Sequence, residues 1–235
     1  TPFAAAGPSL SLTASLGVTL YPDDASDPDA LLRHTDQAMY AAKQAGGHRY
    51  HWFDADHDRR ARAHHDLLQR VETGLAADEF CLYYQPKVDM RTGAVIGVEA
   101  LIRWQHPEEG LLPPVRFMPA VEAGDLSISV GQWVMNEALR QMTAWAAQGL
   151  HLPVSINVSS RHLQHPNFVA ELRAALAAYP QVPSSGLELE ILETVALGDM
   201  AAIAHLIESC RQLGVRFALD DFGTGYSSLT YLKNL

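Results

Sequence analysis

The succession of β-prone and helical stretches predicts an α/β protein built on a parallel sheet, either doubly wound or a (β/α)8 barrel. Three observations carry that prediction. Runs rich in Val, Ile and aromatic residues alternate with amphipathic stretches over the last hundred residues. Gly, Pro and Asp turn signals separate them, and Asn, Asp or Glu recurs near the end of one run after another.

Taken in order, residues 11–21 (SLTASLGVTLY) read as a strand that stops at the turn Pro22-Asp23-Asp24. A helix follows, because Asp27 is a good N-cap and Pro28 suits the first helical position. Leu31, Thr35, Ala38, Met39 and Ala42 recur at helical spacing, and Gly46-Gly47 ends the pattern. HRYHWF (48–53) reads as a short strand. Strand, helix and strand in some fifty residues form the closing portion of an α/β domain, too short to be a whole one.

Residues 54–79 carry dense charge with Leu67, Leu68, Val71 and Leu75 at helical spacing, which predicts a helical connector. Its Arg59-Arg60-Ala61-Arg62 run is most simply a solvated face. FCLYYQPKV (80–88) and AVIGVEALIRW (94–104), joined by Asp89-Met90-Arg91-Thr92-Gly93, predict a hairpin. Beyond it come a helix from about 129 to 148, the strand VSINV (154–158) and a helix from about 166 to 178. The strand LELEI (187–191), a helix from about 198 to 213 closed by Gly214, and the strand VRFALD (215–220) complete the series. Trp133, Met142 and Trp145 follow helical spacing and are read as core.

Composition narrows the function classes. The chain has 235 residues, 48% of them hydrophobic and 19% charged, which fits one large or two smaller globular domains and excludes a disordered or fibrous chain. With 27 acidic against 17 basic residues the net charge is −10, so a nonspecific grip on a nucleic-acid polymer is disfavoured while a single-nucleotide ligand stays possible. Cys81 and Cys210 lie far apart with no CxxC spacing, which argues for a reducing, cytoplasmic setting over thiolate metal sites or disulfides. No apolar run is long enough for a membrane segment, and TPFAAAGPSL lacks the features of a signal peptide. The start at Thr1 and the stop at YLKNL, just after a motif-rich stretch, read as a fragment.

The chemistry is carried by oxygen-bearing residues at strand ends: Glu99, Asn157, Glu190 and the pair Asp220-Asp221. In a barrel the C-terminal strand ends converge on one face, so these residues can share a site. Four carboxylates and an amide packed together repel unless they are protonated or hold cations. All-oxygen ligation without clustered His or Cys favours a hard divalent cation, magnesium or manganese, over zinc. The same acids taken singly suit helix capping. Asp220-Asp221 ahead of Phe222-Gly223-Thr224-Gly225 is the hardest to read that way.

Other motifs fall away. Asp221-Phe222-Gly223 lacks the accompanying kinase signatures, Gly223-x-Gly225 is too short for a dinucleotide fingerprint, and there is no GxSxG elbow. The eleven histidines are scattered; His64-His65 are adjacent, so they miss the i, i+4 spacing of zinc enzymes, and surface positions explain them most simply.

With those residues in view, a family resemblance stands out. Tyr84-Gln85-Pro86 followed by Glu99-Ala100-Leu101-Ile102-Arg103-Trp104, then SINVSS (155–160), ELEILET (188–194) and FALDDFGTGYSSL (217–229), resemble in order and spacing the EAL domain, the bacterial cyclic-di-GMP phosphodiesterase family. The likeness covers roughly residues 66–235, and residues 13–53 resemble the closing part of a GGDEF, or diguanylate cyclase, domain. The resemblance implies an incomplete (β/α)8 barrel preceded by the C-terminal part of a GGDEF-like domain. Its divisions are a GGDEF remnant at 1–54, a helical connector and EAL start at 55–79, and the first two-thirds of the EAL domain at 80–235.

The resemblance further implies that Glu99, Asn157, Glu190, Asp220 and Asp221 are metal ligands, with Glu99, Asp220 and Asp221 catalytic. Gln85, Leu101 and Arg103 would line the cyclic dinucleotide, Arg103 being suited to a phosphate oxygen. Glu193 would steady the loop 222–228, associated in the family with metal binding and dimer contacts. The implied reaction is two-metal hydrolysis of one phosphodiester bond in cyclic-di-GMP to linear pGpG by a homodimer. Leu192 stands where the family commonly has Thr, and Ser160 and His162 replace more usual neighbours. The family's general-base lysine and final metal-binding glutamate belong beyond Leu235. A barrel takes about 250 residues, more than 66–235 supply, so the chain by itself is expected to be inactive and poorly soluble. A degenerate domain that binds the dinucleotide or docks a partner without hydrolysis is the competing reading.

Overall fold

Local signals and register together place a polar sheet face in the second half of the chain. The computed structural model describes residues 13–192 and 200–220, and before them only a ladder between Pro2–Phe3 (β1) and Leu10–Ser11 (β2). The chain divides into two compact units, Thr1–Asp66 and Leu67–Leu235.

In the first unit, Leu16–Val18 (β3) pairs in parallel with Tyr50–Trp52 (β4), and Pro28–Gln44 (α1) packs on both. Of the long strand expected over 11–21, residues 13–21 form only the three-residue β3, and Ser11 belongs to β2. Asp27 caps α1, accepting from the Ala30 amide at 2.9 Å, with Pro28 at the first position. Gly46 and Gly47, both at positive φ, close it. Buried Asp24 accepts from Thr19 Oγ1 at 2.8 Å and lies 2.6 Å from His34 Nδ1, whose ring stacks on Phe53. Burial alone would raise its pKa, but hydrogen bonds from Ser26, His34 and Thr19 outweigh that and lower it to about 2. Gly17 is required for close approach, since a Cβ there would sit 1.8 Å from the Thr35 carbonyl oxygen of α1.

Ala55–Ala76 (α2) starts at the end of the first unit. Arg59 pairs with Asp56, and Arg62 with Asp58 at 2.5 Å, on well-exposed side chains. The arginine run is thus a solvated helix face whose pairs are worth little in stability.

The second unit is organised by a sheet of order β10-β9-β8-β6-β5. Phe80–Val88 (β5) and Val95–His106 (β6) form the expected antiparallel hairpin, closed by Asp89 Oδ1 accepting from the Arg91 and Thr92 amides and by Gly93 at φ 70°. β6 runs on to pair with Gly110–Leu112 (β7), a strand the sequence reading leaves out. Val154–Asn157 (β8), Leu187–Leu192 (β9) and Arg216–Asp220 (β10) then add in parallel.

The parallel strands lie in chain order with no reversal, the arrangement of a barrel wall. A doubly wound sheet would reverse order at a switch point. Leu126–Ala146 (α4), Phe168–Ala178 (α6) and Met200–Arg211 (α7) pack along one side, and the short helices Met118–Glu122 (α3) and Ser160–Leu163 (α5) fill two connections. α4 starts three residues earlier than its periodicity indicates.

Side chains sort by strand parity. Phe80, Leu82, Val98, Ala100, Ile102, Trp104, Val154, Ile156, Leu187, Leu189 and Ile191 are all buried against the helices. Met142 joins this core, with Trp133 and Trp145 partly buried against it. Trp104 Nε1 donates to Glu79 at 2.9 Å, and Arg70 donates to both Glu79 oxygens at 2.7 and 2.9 Å, tying the end of α2 to β6.

One histidine departs from its expected surface position. His162 in α5 is 1% exposed, edge-on to Phe168 and 3.3 Å from Glu171 Oε2. It fits only because residue 131 is glycine: a Cβ there would lie 2.2 Å from His162 Nδ1. Burial lowers its pKa below the ordinary 6.5 despite the Glu171 carboxylate.

Two outcomes follow. Gly17→Ala is expected to cost about 1–3 kcal/mol by overpacking, read as lost hydrogen-exchange protection over residues 16–52. The neutral form of His162 is favoured in the fold, so the unfolded chain binds the extra proton. This contribution to stability is complete above pH 6.5 and is lost as pH falls below it toward the folded value. His162→Gln should flatten the pH dependence of the urea midpoint between pH 7.5 and 5.

Candidate active site

Paired residues in a sheet point to the same side, so the register arranges the polar face in rows. Lys87 lies opposite Gly97. The next row holds Gln85, Glu99, Ser155, Glu188 and Arg216, and the one above it Tyr83, Leu101, Asn157, Glu190 and Ala218. Arg103 continues the face along β6, and Leu192 and Asp220 form the top pair of β9 and β10.

Glu99, Asn157, Glu190 and Asp220 therefore share one sheet face, on a diagonal across four strands. Such a diagonal is what the stagger of a barrel wall produces. Asn157 and Asp220 end their strands, whereas Glu99 sits mid-strand, because β6 continues to His106. Glu193, Asp221 and the loop 222–228 lie outside the described residues.

Asn157 Nδ2 donates to Glu99 Oε1 at 2.9 Å, which joins two of the candidate ligands directly. Glu190 is 7% exposed and is engaged through Oε1 by the Lys87 ammonium. Lys87 also donates to Ser155 Oγ at 2.6 Å and Glu188 Oε1 at 3.1 Å, and Ser155 donates to the same Glu188 oxygen at 2.7 Å. Burial works against the ammonium, but hydrogen bonds to Glu190 and Glu188 outweigh it and raise the Lys87 pKa. Burial likewise opposes the Glu188 carboxylate, and Ser155 and Lys87 outweigh it to lower that pKa.

Arg103 places its guanidinium 5.6 Å from the centre of the Tyr83 ring and donates from Nη1 to the Ile102 carbonyl. Tyr83 is half exposed, and Gln85 is exposed beside Glu99. Leu101, Asn157, Glu190 and Leu192 line a cleft of about 780 Å³ that continues past Ser160 and His165.

The donor set suits hard cations: carboxylate and amide oxygens on one face, one carboxylate nearly buried. Among the described residues no three His, Cys, Asp or Glu side chains are gathered closely enough to grip an ion on their own. Asn157 supplies a further oxygen from the same face.

Sequence reasoning passed over Lys87, Ser155, Glu188 and Tyr83. The signal was parity, since each stands two residues from a residue already singled out: Gln85, Asn157, Glu190 and again Gln85.

Comparison with known proteins identifies the family. Residues 68–235 match the EAL domain model, and residues 1–49 match that of the diguanylate cyclase, GGDEF domain. The bifunctional diguanylate cyclase/cyclic di-GMP phosphodiesterase MucR of Pseudomonas aeruginosa is 39% identical over 225 residues, which cover 95% of this chain and 33% of MucR. The cyclic di-GMP phosphodiesterase PdeR of Escherichia coli is 35% identical over 94% of this chain and 33% of its own length. The solved "PaMucR Phosphodiesterase, c-di-GMP complex" superposes with a TM-score of 0.68 at 40% identity, over 72% of this chain and 69% of that one. The chain spans about a third of the length of these curated relatives. No described helix is long and apolar enough to cross a membrane. Since the EAL model matches well over half of its residues, the chain belongs to the EAL domain family.

Proposed function

We propose that this chain carries the hydrolytic face of a cyclic-di-GMP phosphodiesterase in a cytoplasmic GGDEF–EAL signalling protein. The observation that carries the reading is that Asn157 and Glu190 line a cleft of about 780 Å³, a size suited to a dinucleotide, and that Glu99 is hydrogen-bonded to Asn157 on the same sheet face. Similarity to MucR and PdeR supports the same substrate. In domain terms, residues 1–54 are the GGDEF-related segment, 55–79 the connector and start of the EAL domain, and 80–235 its continuation. The family matches and the division near residue 66 support this arrangement.

Glu99, Asn157, Glu190, Asp220 and Asp221 would hold two divalent ions, magnesium or manganese. When bound, such ions polarise a phosphate, lower the pKa of water toward neutrality and stabilise a leaving oxygen. The chain's own residues do the positioning. Asn157 orients Glu99 through its amide, and Glu190 offers a carboxylate restrained by burial and by Lys87. Arg103, on the same sheet face as Glu99, brings charged donors suited to a phosphate oxygen. Gln85 and Leu101 bound the dinucleotide on the same face, and Glu193 steadies the loop 222–228. The free thiols Cys81 and Cys210 support a reducing compartment. A homodimer joined through the EAL domain completes the reading, on the family resemblance.

Incubating the whole protein with cyclic-di-GMP and Mn²⁺ should give linear pGpG, followed by chromatography. Glu99→Gln and Glu190→Gln should each lower kcat by a factor on the order of 10², as expected on removing a charge-stabilising group. Dinucleotide binding without any product would overturn the enzyme reading in favour of a receptor. Arg103→Ala removes a charged hydrogen bond worth about 1.5–3 kcal/mol, so dinucleotide affinity measured without metal should fall roughly 10- to 100-fold.

A further inference from the structure

Lys87 and Arg216, the latter in register with Glu188, both stand on the polar face below Glu190. Lys87 starts from the lowest row, opposite Gly97, and its ammonium reaches Ser155 and Glu188 one row up and Glu190 two rows up. It therefore meets Glu190 from below and takes Oε1, while the cleft lies above.

Glu188 and Glu190 are two residues apart on one strand face, which sets their backbones about 6–7 Å apart. Their side chains are 21% and 8% exposed, so their mutual repulsion is poorly screened. The Lys87 ammonium bonds both carboxylates, Arg216 adds positive charge near Glu188, and Ser155 fixes the lower carboxylate by its 2.7 Å donation to Glu188. Without the lysine, Glu190 would be a nearly buried carboxylate facing a second one, without the hydrogen bond that holds its Oε1.

We propose that Lys87 is a positioning residue: its ammonium anchors Glu190 from beneath, so that this carboxylate is preorganised for a divalent cation entering from the cleft. The inference rests on the reading of Glu190 as a metal ligand. Lys87 itself touches neither substrate nor metal.

The test uses the whole protein without substrate, with Mn²⁺ as probe, its binding followed by paramagnetic resonance and calorimetry. Lys87→Met should weaken Mn²⁺ binding about tenfold or more while cyclic-di-GMP affinity in the absence of metal stays within twofold. Lys87→Gln, which keeps a hydrogen-bond donor without the charge, should behave alike and serves where the Met variant does not fold. Mn²⁺ affinity equal to wild type overturns the proposal. Tighter binding overturns it too, since the ammonium would then be a competitor of the metal. Equal loss of metal and dinucleotide affinity marks a general structural fault and also overturns it. Glu190→Gln tests the underlying reading separately: if that variant binds Mn²⁺ as wild type does, Glu190 is not a ligand. If it loses Mn²⁺ while Lys87→Met does not, only the role of Lys87 fails.

Discussion

The parallel register that sets Glu99 beside Ser155 and Asn157 beside Glu190 is the constraint on which the second unit depends. Side chains alternate along a strand, so a slip of one residue would send Val154, Ile156, Leu187 and Leu189 to the polar side and the carboxylates under the helices. Burying unpaired carboxylates there would cost several kcal/mol each. The apolar side thus enforces the register, and the register assembles the site. Core packing by α4 and α6 positions Glu190 as surely as any contact of its own.

The polar face has its own internal logic. Acidic side chains crowd it while the whole chain is strongly negative, yet the described contacts pair opposite or complementary groups: an amide donates to Glu99, and an ammonium and a hydroxyl serve Glu188. Of the acidic side chains Glu190 lines the cleft, with Lys87 engaging its Oε1. Arg103 contributes the opposite charge to the same face, its guanidinium near the Tyr83 ring. The carboxylate of Glu99 and the guanidinium of Arg103 thus stand four residues apart along β6.

Histidine illustrates how a local departure is absorbed. The imidazole of His162 is accommodated by the missing side chain of Gly131 and by Glu171, one partner on α4 and the other on α6. None of this is visible at residue 162 alone, because the space is made by a residue thirty-one positions away. The expectation of a surface histidine fails for that reason.

Periodicity, caps and turn residues were enough to read α1 with its Asp27 cap, the β5–β6 hairpin with its Asp89 turn, and the strands bearing Asn157, Glu190 and Asp220. These depend on interactions within a few residues, which the chain writes locally. The sequence also named the oxygen donors, because chemistry resides in residue type. The strand and helix pattern alone left a barrel wall and a doubly wound sheet both open, and the family motifs decided for the barrel; nothing in the sequence extended β6 into β7 or brought Lys87 within reach of Glu190, 103 residues away. Those outcomes depend on strand order and register. Both are settled by which faces bury together, a property of the packed chain and not of any segment.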